Sequence, residues 1–126
     1  MESIGIGLVI VSHSKHIAEG VVELISKVAK DVPITYVGGT EGGEIGTSFD
    51  QVDRVVSENP ADTLLAFFDL GSAKMNLKMV TDFSDKSIII NRVPIVEGAY
   101  NAAALLQAGA ELSVIQTQLA ELEINK

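Results

Sequence analysis

Apolar positions along the chain fall into two alternating patterns. Ile4 to Val11 is a nearly unbroken apolar run that includes Gly5 and Gly7. It reads as a strand buried on both faces, because a half-exposed strand would alternate apolar and polar residues. Ile17, Val21, Leu24, Ile25 and Val28 then follow at helical spacing, with Ser14 placed to cap that helix. Pro33 to Val37 is a short second strand, followed by a glycine-rich loop from Gly38 to Gly46. Phe49, Val52, Val55 and Val56 mark a second helix, which Asn59-Pro60 ends. Thr63 to Phe68 is a third buried strand. Leu77, Val80 and Phe83 mark a third helix that begins near Gly71 or Ser72. Ser87 to Ile90 is a fourth strand. An alanine-rich helix runs from about Val96 to Gln107, and Leu112, Ile115, Leu119 and Leu122 give a closing helix.

Strands that alternate with helices and carry unbroken apolar runs imply an α/β fold. The expected architecture is a doubly wound, mostly parallel sheet of four or five strands with helices on both faces. Chemistry in such sheets gathers beyond the carboxyl ends of the strands, where the strand order switches. The residues at those ends are Ser12-His13-Ser14, the Gly38–Gly46 loop, Asp69-Leu70-Gly71-Ser72 and Asn91-Arg92.

Composition narrows the picture. The 126 residues fit one compact domain spanning 1–126, and no linker or repeat is visible. Cysteine is absent, which excludes disulfides, thiolate catalysis and cysteine zinc sites. Seventeen acids against nine bases give a formal net charge of −8. That balance argues against a nucleic-acid or anionic-membrane partner. The Ile4–Val11 run lacks a basic flank and is too short to span a bilayer, so a cytoplasmic protein is expected.

His13 directly follows the first strand and precedes the N-terminus of the first helix. A phosphoryl group on that imidazole would meet free backbone N–H groups and the positive end of the helix dipole. A surface histidine without a role is the plainer alternative. His16, one turn on, reads as a solvated helix residue. Asp69 follows the third strand at the same sheet edge. A carboxylate there suits the Nδ1–H of a histidine, which leaves Nε2 free as nucleophile; equally, it suits the N-cap of the third helix. Ser72, Ser14 and Thr47 are candidates for holding a phosphate, with helix capping as the competing role of Thr47 and Ser48. The glycine loop is not a Walker A loop, because no Gly-Lys-Ser/Thr is present. Its glycines read as sources of backbone freedom. No histidine-based metal site has the spacing it needs, and no Gly-x-Ser-x-Gly elbow supports a Ser-His-Asp hydrolase. Ala99, Ala102, Ala103, Ala104 and Ala108 permit close helix approach, either within the domain or across a homodimer.

Four stretches together carry a family resemblance. They are Val9-Ile10-Val11-Ser12-His13-Ser14, Gly38-Gly39-Thr40-Glu41-Gly42-Gly43-Glu44-Ile45-Gly46-Thr47-Ser48, Asp69-Leu70-Gly71-Ser72-Ala73 and Val96-Glu97-Gly98-Ala99. They resemble the mannose-type IIA domains of the bacterial phosphotransferase system. The closer similarity is to the phosphotransferase subunits of phosphoenolpyruvate-dependent dihydroxyacetone kinases. The resemblance implies that His13 is the phosphorylated residue and that Asp69 orients it. It implies a histidine phosphocarrier protein as donor. The implied acceptor is ADP on the nucleotide-binding subunit of the kinase, which regenerates ATP for dihydroxyacetone phosphorylation. No cofactor is expected to bind tightly, Mg-ADP coming from the partner subunit, and the family is typically dimeric and cytoplasmic.

A net charge of −8 is in tension with phosphoryl chemistry. Lys15, Lys74 and Arg92 are the bases expected to offset it near His13. Two rival functions remain open from the sequence. One is a mannose-type IIA component that passes phosphate to a IIB protein in sugar uptake. The other is a non-enzymatic doubly wound binding or regulatory domain.

Overall fold

The computed structural model describes residues 5–126. Five helices and four strands alternate along them: β1 (Ile6–Ser12), α1 (Lys15–Ser26), β2 (Ile34–Gly38), α2 (Phe49–Glu58), β3 (Thr63–Phe68), α3 (Gly71–Phe83), β4 (Ser87–Asn91), α4 (Ile95–Gln107) and α5 (Leu112–Ala120). Ile4, the first residue of the expected opening strand, lies outside the described residues. Among the described residues the sheet has four strands rather than five, and every pairing is parallel, in the order β2-β1-β3-β4.

Side chains along a strand point alternately to opposite faces, and the unbroken apolar runs therefore supply two cores. Leu8, Ile10, Leu65 and Phe67 face one way and join Val21, Ile25, Ala99, Ala102, Ala103, Ile115 and Leu119. Val9, Val11, Leu64, Ala66 and Phe68 face the other way, onto Val52, Val55, Val56, Leu77 and Val80. Thus α1, α4 and α5 cover one face, and α2 and α3 cover the other. Full burial of Phe67 and Phe68 contributes on the order of 1.5–3 kcal/mol each from area alone.

Three apolar positions expected on helix stripes fall outside these cores. Ile17 is 48% exposed, Leu24 is 50% exposed and Phe83 is 78% exposed. The buried stripe of α1 is Ala18, Val21 and Ile25, so the covered face is rotated from the one the bulkiest residues suggest. Ala18 sits against the sheet because a small side chain lets the helix approach closely. Ala99, Ala102 and Ala103 are likewise fully buried inside the domain, which removes them from any homodimer contact.

Caps and breaks follow local chemistry. The Ser14 hydroxyl accepts from the Ile17 amide at 3.3 Å and caps α1. Of the two hydroxyl residues before α2, Ser48 is the cap, accepting from the Gln51 amide at 3.2 Å. Asn59 ends α2 and turns inward, where it is 1% exposed. Its Nδ2 donates to the Leu8 carbonyl at 3.0 Å and to Thr35 Oγ1 at 3.2 Å, and its Oδ1 accepts from the Ala61 amide at 3.0 Å. Gly7 makes room for it: a Cβ there would lie 2.7 Å from Asn59 Oδ1 and 2.8 Å from the Pro33 carbonyl.

Asn59→Ala should destabilise the fold by about 1–3 kcal/mol, because it strands the buried Ala61 amide and the Leu8 carbonyl loses a donor. A urea titration would show this as a lower midpoint at an unchanged slope; an unshifted midpoint would contradict the structural role given to this side chain.

Candidate active site

The order β2-β1-β3-β4 switches direction between β1 and β3. Chains leaving those two strands diverge to opposite faces and leave a crevice at their carboxyl ends. Val11 pairs with Phe68 at the end of that ladder, so the next residues, from Ser12 and from Asp69, meet above it.

The Asp69 carboxylate is the centre of what meets there. Its Oδ2 accepts from the buried Ser12 hydroxyl at 2.7 Å and from the His13 amide at 2.9 Å. Its Oδ1 contacts His13 Nδ1 at 2.9 Å and accepts from the Leu70 amide at 2.7 Å. Burial by itself would raise the Asp69 pKa; hydrogen bonds from Ser12, the His13 amide, the His13 ring and the Leu70 amide outweigh it and hold the carboxyl below its ordinary value. An ionised carboxylate has no proton to give, so Nδ1 must carry one. In the neutral ring the lone pair then belongs to Nε2.

Nε2 is met by the hydroxyl of Ser72, in the first turn of α3. The imidazole is thus held at both nitrogens, and its side chain is 14% exposed, against 13% for Asp69. The turn that carries it is fixed from two sides. The His13 carbonyl accepts from the Gly46 amide at 2.9 Å, and the Ser12 carbonyl accepts from the Gly39 amide at 3.2 Å. The glycine loop therefore braces the histidine turn. Gly39, Gly43 and Gly46 have φ of 80, 82 and 144°, a region that only glycine adopts freely. Gly38 is needed for closeness instead, since a Cβ there would lie 2.4 Å from the Ser14 carbonyl oxygen.

The sequence candidates separate on this geometry. His13, Asp69 and Ser72 converge. Ser14 adjoins them, but its hydroxyl caps α1 and its amide donates to Ser12 Oγ at 3.0 Å. Thr47 Oγ1 accepts from Asn76 Nδ2 at 3.3 Å, which ties the loop to α3; no hydrogen bond joins it to His13. Asp69 is not the cap of α3. That position is Leu70, with no side-chain cap bond, because both carboxylate oxygens are turned back towards the β1 turn. His16 is exposed on α1. Two residues had no role in the sequence reading. Ser12 was visible as the neighbour of His13, but nothing in the pattern says that its hydroxyl points at Asp69. Lys126 donates from Nζ to the Phe68 carbonyl, 58 positions away, at 2.6 Å.

A groove of about 540 Å³ lies elsewhere, over the outer edge of β2 between Lys15, Glu19, Tyr36, Gln51 and Arg54. His13 and Asp69 do not line it. The imidazole lies instead at the carboxyl edge of the sheet, where its side chain is 14% exposed.

Comparisons with known proteins agree with this geometry. The sequence profile of the family EIIA-man, described as the PTS system fructose IIA component, matches residues 7–116. The chain is 55% identical over 95% of its length, and 98% of the relative's, to the "PTS-dependent dihydroxyacetone kinase, phosphotransferase subunit DhaM" of Lactococcus lactis subsp. lactis. It is 50% identical over 94% of its length, and 95% of the relative's, to the "PEP-dependent dihydroxyacetone kinase 1, phosphoryl donor subunit DhaM" of Listeria innocua. A crystal structure described as "unknown function protein EF1359" superposes with a TM-score of 0.83 at 26% identity, covering 96% of this chain and 97% of that one. With the profile spanning most of the sheet and the motifs of its carboxyl edge in place, the chain belongs to the EIIA-man family.

Proposed function

We propose that this chain is the phosphoryl-relay subunit of a phosphoenolpyruvate-dependent dihydroxyacetone kinase. His13 accepts a phosphoryl group from a histidine phosphocarrier protein and passes it to ADP on a nucleotide-binding kinase subunit. The observation that carries the reading is the 2.9 Å contact between His13 Nδ1 and Asp69 Oδ1, in a chain half identical to two phosphotransferase subunits of such kinases.

The chemistry follows from the two ring nitrogens. Asp69 keeps the Nδ1 proton and the ring plane fixed, so the lone pair is left on Nε2, facing the Ser72 hydroxyl. A phosphohistidine brought by the donor places its phosphorus in line with Nε2. The N–P bond to the donor lengthens as the bond to Nε2 forms, and the electron pair of the broken bond returns to the donor imidazole. Positive charge developing on the His13 ring is shared with the Asp69 carboxylate through Nδ1–H. The Ser72 hydroxyl, released from Nε2, is placed to donate to a phosphoryl oxygen. In the second half, an oxygen of the ADP β-phosphate attacks phosphorus, the Nε2–P bond breaks, and Ser72 returns to the lone pair. Catalysis rests on positioning and charge, as phosphoryl transfer requires. Mg-ADP belongs to the acceptor subunit in this scheme. The scheme is that of a cytoplasmic homodimer, and no helix of the described residues is long and apolar enough to cross a membrane.

Incubation with phosphoenolpyruvate, Enzyme I and the phosphocarrier should add the mass of one phosphoryl group, labile in acid and absent from His13→Ala. No gain in the wild-type chain ends the relay reading and leaves a binding domain. Addition of the nucleotide-binding subunit with ADP, or of a IIB protein, then identifies the acceptor by which of them discharges the histidine.

Asp69→Asn should fold and yet accept phosphate about 100-fold more slowly, because an amide cannot share the developing charge. Ser72→Ala should slow transfer by about tenfold while leaving His13 as the modified residue. The stability contributed by the ionised Asp69 has a defined pH sense. Its folded pKa is lowered, so the contribution is complete above the unfolded value of about 3.9 and is lost as pH falls through the lower folded value. Thermal melts of wild type and Asp69→Asn should therefore differ at neutral pH and converge in strong acid; a gap that widened on acidification would refute the assignment.

A further inference from the structure

A chain of net charge −8, with an ionised carboxylate at its reacting edge, is a poor host for a phosphoryl dianion unless a cation stands close by. The bases that the sequence offers for this are engaged elsewhere. Arg92 lies 3.7 Å from Glu123. Lys74 Nζ donates to the main-chain oxygen of Lys126 at 2.7 Å. Lys15 is exposed on α1 and lines the β2 groove.

Lys126 is placed differently. Its ammonium donates to the Phe68 carbonyl at 2.6 Å and lies 4.5 Å from the centroid of the Phe68 ring. Phe68 is fully buried and immediately precedes Asp69. The charge is thus fixed at the carboxyl end of β3, on the carbonyl of the residue that precedes Asp69. The segment that delivers it is anchored at two further points. The Ile124 amide donates to the Arg92 carbonyl at 2.8 Å, beyond β4, and Lys74 of α3 holds the Lys126 main chain.

We propose that Lys126 is a positioning residue of the phosphoryl site, its positive charge offsetting the Asp69 carboxylate and favouring the arriving phosphoryl dianion. The assignment rests on the relay reading of His13. A neutral donor would satisfy the Phe68 carbonyl as well as an ammonium does. Only a cation acts on Asp69 through space, and in half-buried surroundings that action is weakly screened. The groups that contact the Asp69 carboxylate are Ser12, the amide and ring of His13 and the Leu70 amide; Lys126, bound at the preceding carbonyl, and Lys74, bound to the Lys126 main chain, are the cations beside them. Burial lowers the Lys126 pKa below the ordinary lysine value, and Asp69 offsets part of that fall.

The test compares Lys126→Met with Lys126→Arg in the full chain. The methionine keeps an apolar stem and removes the charge; the arginine keeps the charge. Phosphorylation by the phosphocarrier should slow by about tenfold in Lys126→Met and recover most of that loss in Lys126→Arg. The Asp69 carboxyl, followed by carbon NMR across a pH titration, should titrate at higher pH in Lys126→Met and near the wild-type midpoint in Lys126→Arg. A methionine variant that reacts and titrates like wild type overturns the proposal. So does an arginine variant that fails to restore what methionine loses, since packing of the stem would then be responsible. If the wild-type chain accepts no phosphoryl group, the relay reading fails separately; the Asp69 midpoint still decides, an unmoved value in Lys126→Met overturning the role of Lys126.

Discussion

The carboxylate of Asp69 accepts four hydrogen bonds, and they join segments that are far apart in sequence. Two come from the His13 residue itself, one from Ser12 and one from Leu70. A half-buried carboxylate is costly to ionise without such donors. With them it stays charged, and a charged Asp69 determines which nitrogen of His13 is free. The carboxylate therefore holds the turn after β1 against the turn after β3, and it also sets the tautomer of the reacting ring.

Sheet topology makes that meeting possible. Because β1 and β3 are neighbours and their crossovers leave to opposite faces, no helix covers the point where they end. Every other stretch of the central strands is covered on both sides. The same arrangement sets the His13 ring at the carboxyl edge of the sheet, apart from the groove over β2. The glycine loop serves this edge from the side. The Gly39 and Gly46 amides hold the carbonyls of Ser12 and His13.

Charge is arranged locally against the average. The chain is strongly acidic, yet a cation from residue 126 is held on the carbonyl that precedes Asp69, its segment fixed by the Ile124 amide on the Arg92 carbonyl and by Lys74 Nζ on the Lys126 main chain. Of the bases expected to offset the acids near His13, Lys74 thus acts indirectly, by holding the segment that carries another.

The sequence by itself determined the element types, because both-face burial leaves unbroken apolar runs and amphipathic helices leave a stripe, and each is a property of neighbouring residues. It also determined His13 and Asp69 as candidates, since strand ends in a parallel sheet share one edge. The tertiary structure alone decided which face of α1 is covered, with Ala18 inside and Ile17 outside; helix rotation depends on what the sheet offers to pack against. It alone turned Asp69 away from capping α3, placed Ser12 beneath the carboxylate, drew Thr47 to Asn76, and set Lys126 beside Phe68. Those are contacts between residues 29 to 58 positions apart, and a hydrogen bond across such a separation is set by the packing of whole elements, which no local pattern encodes.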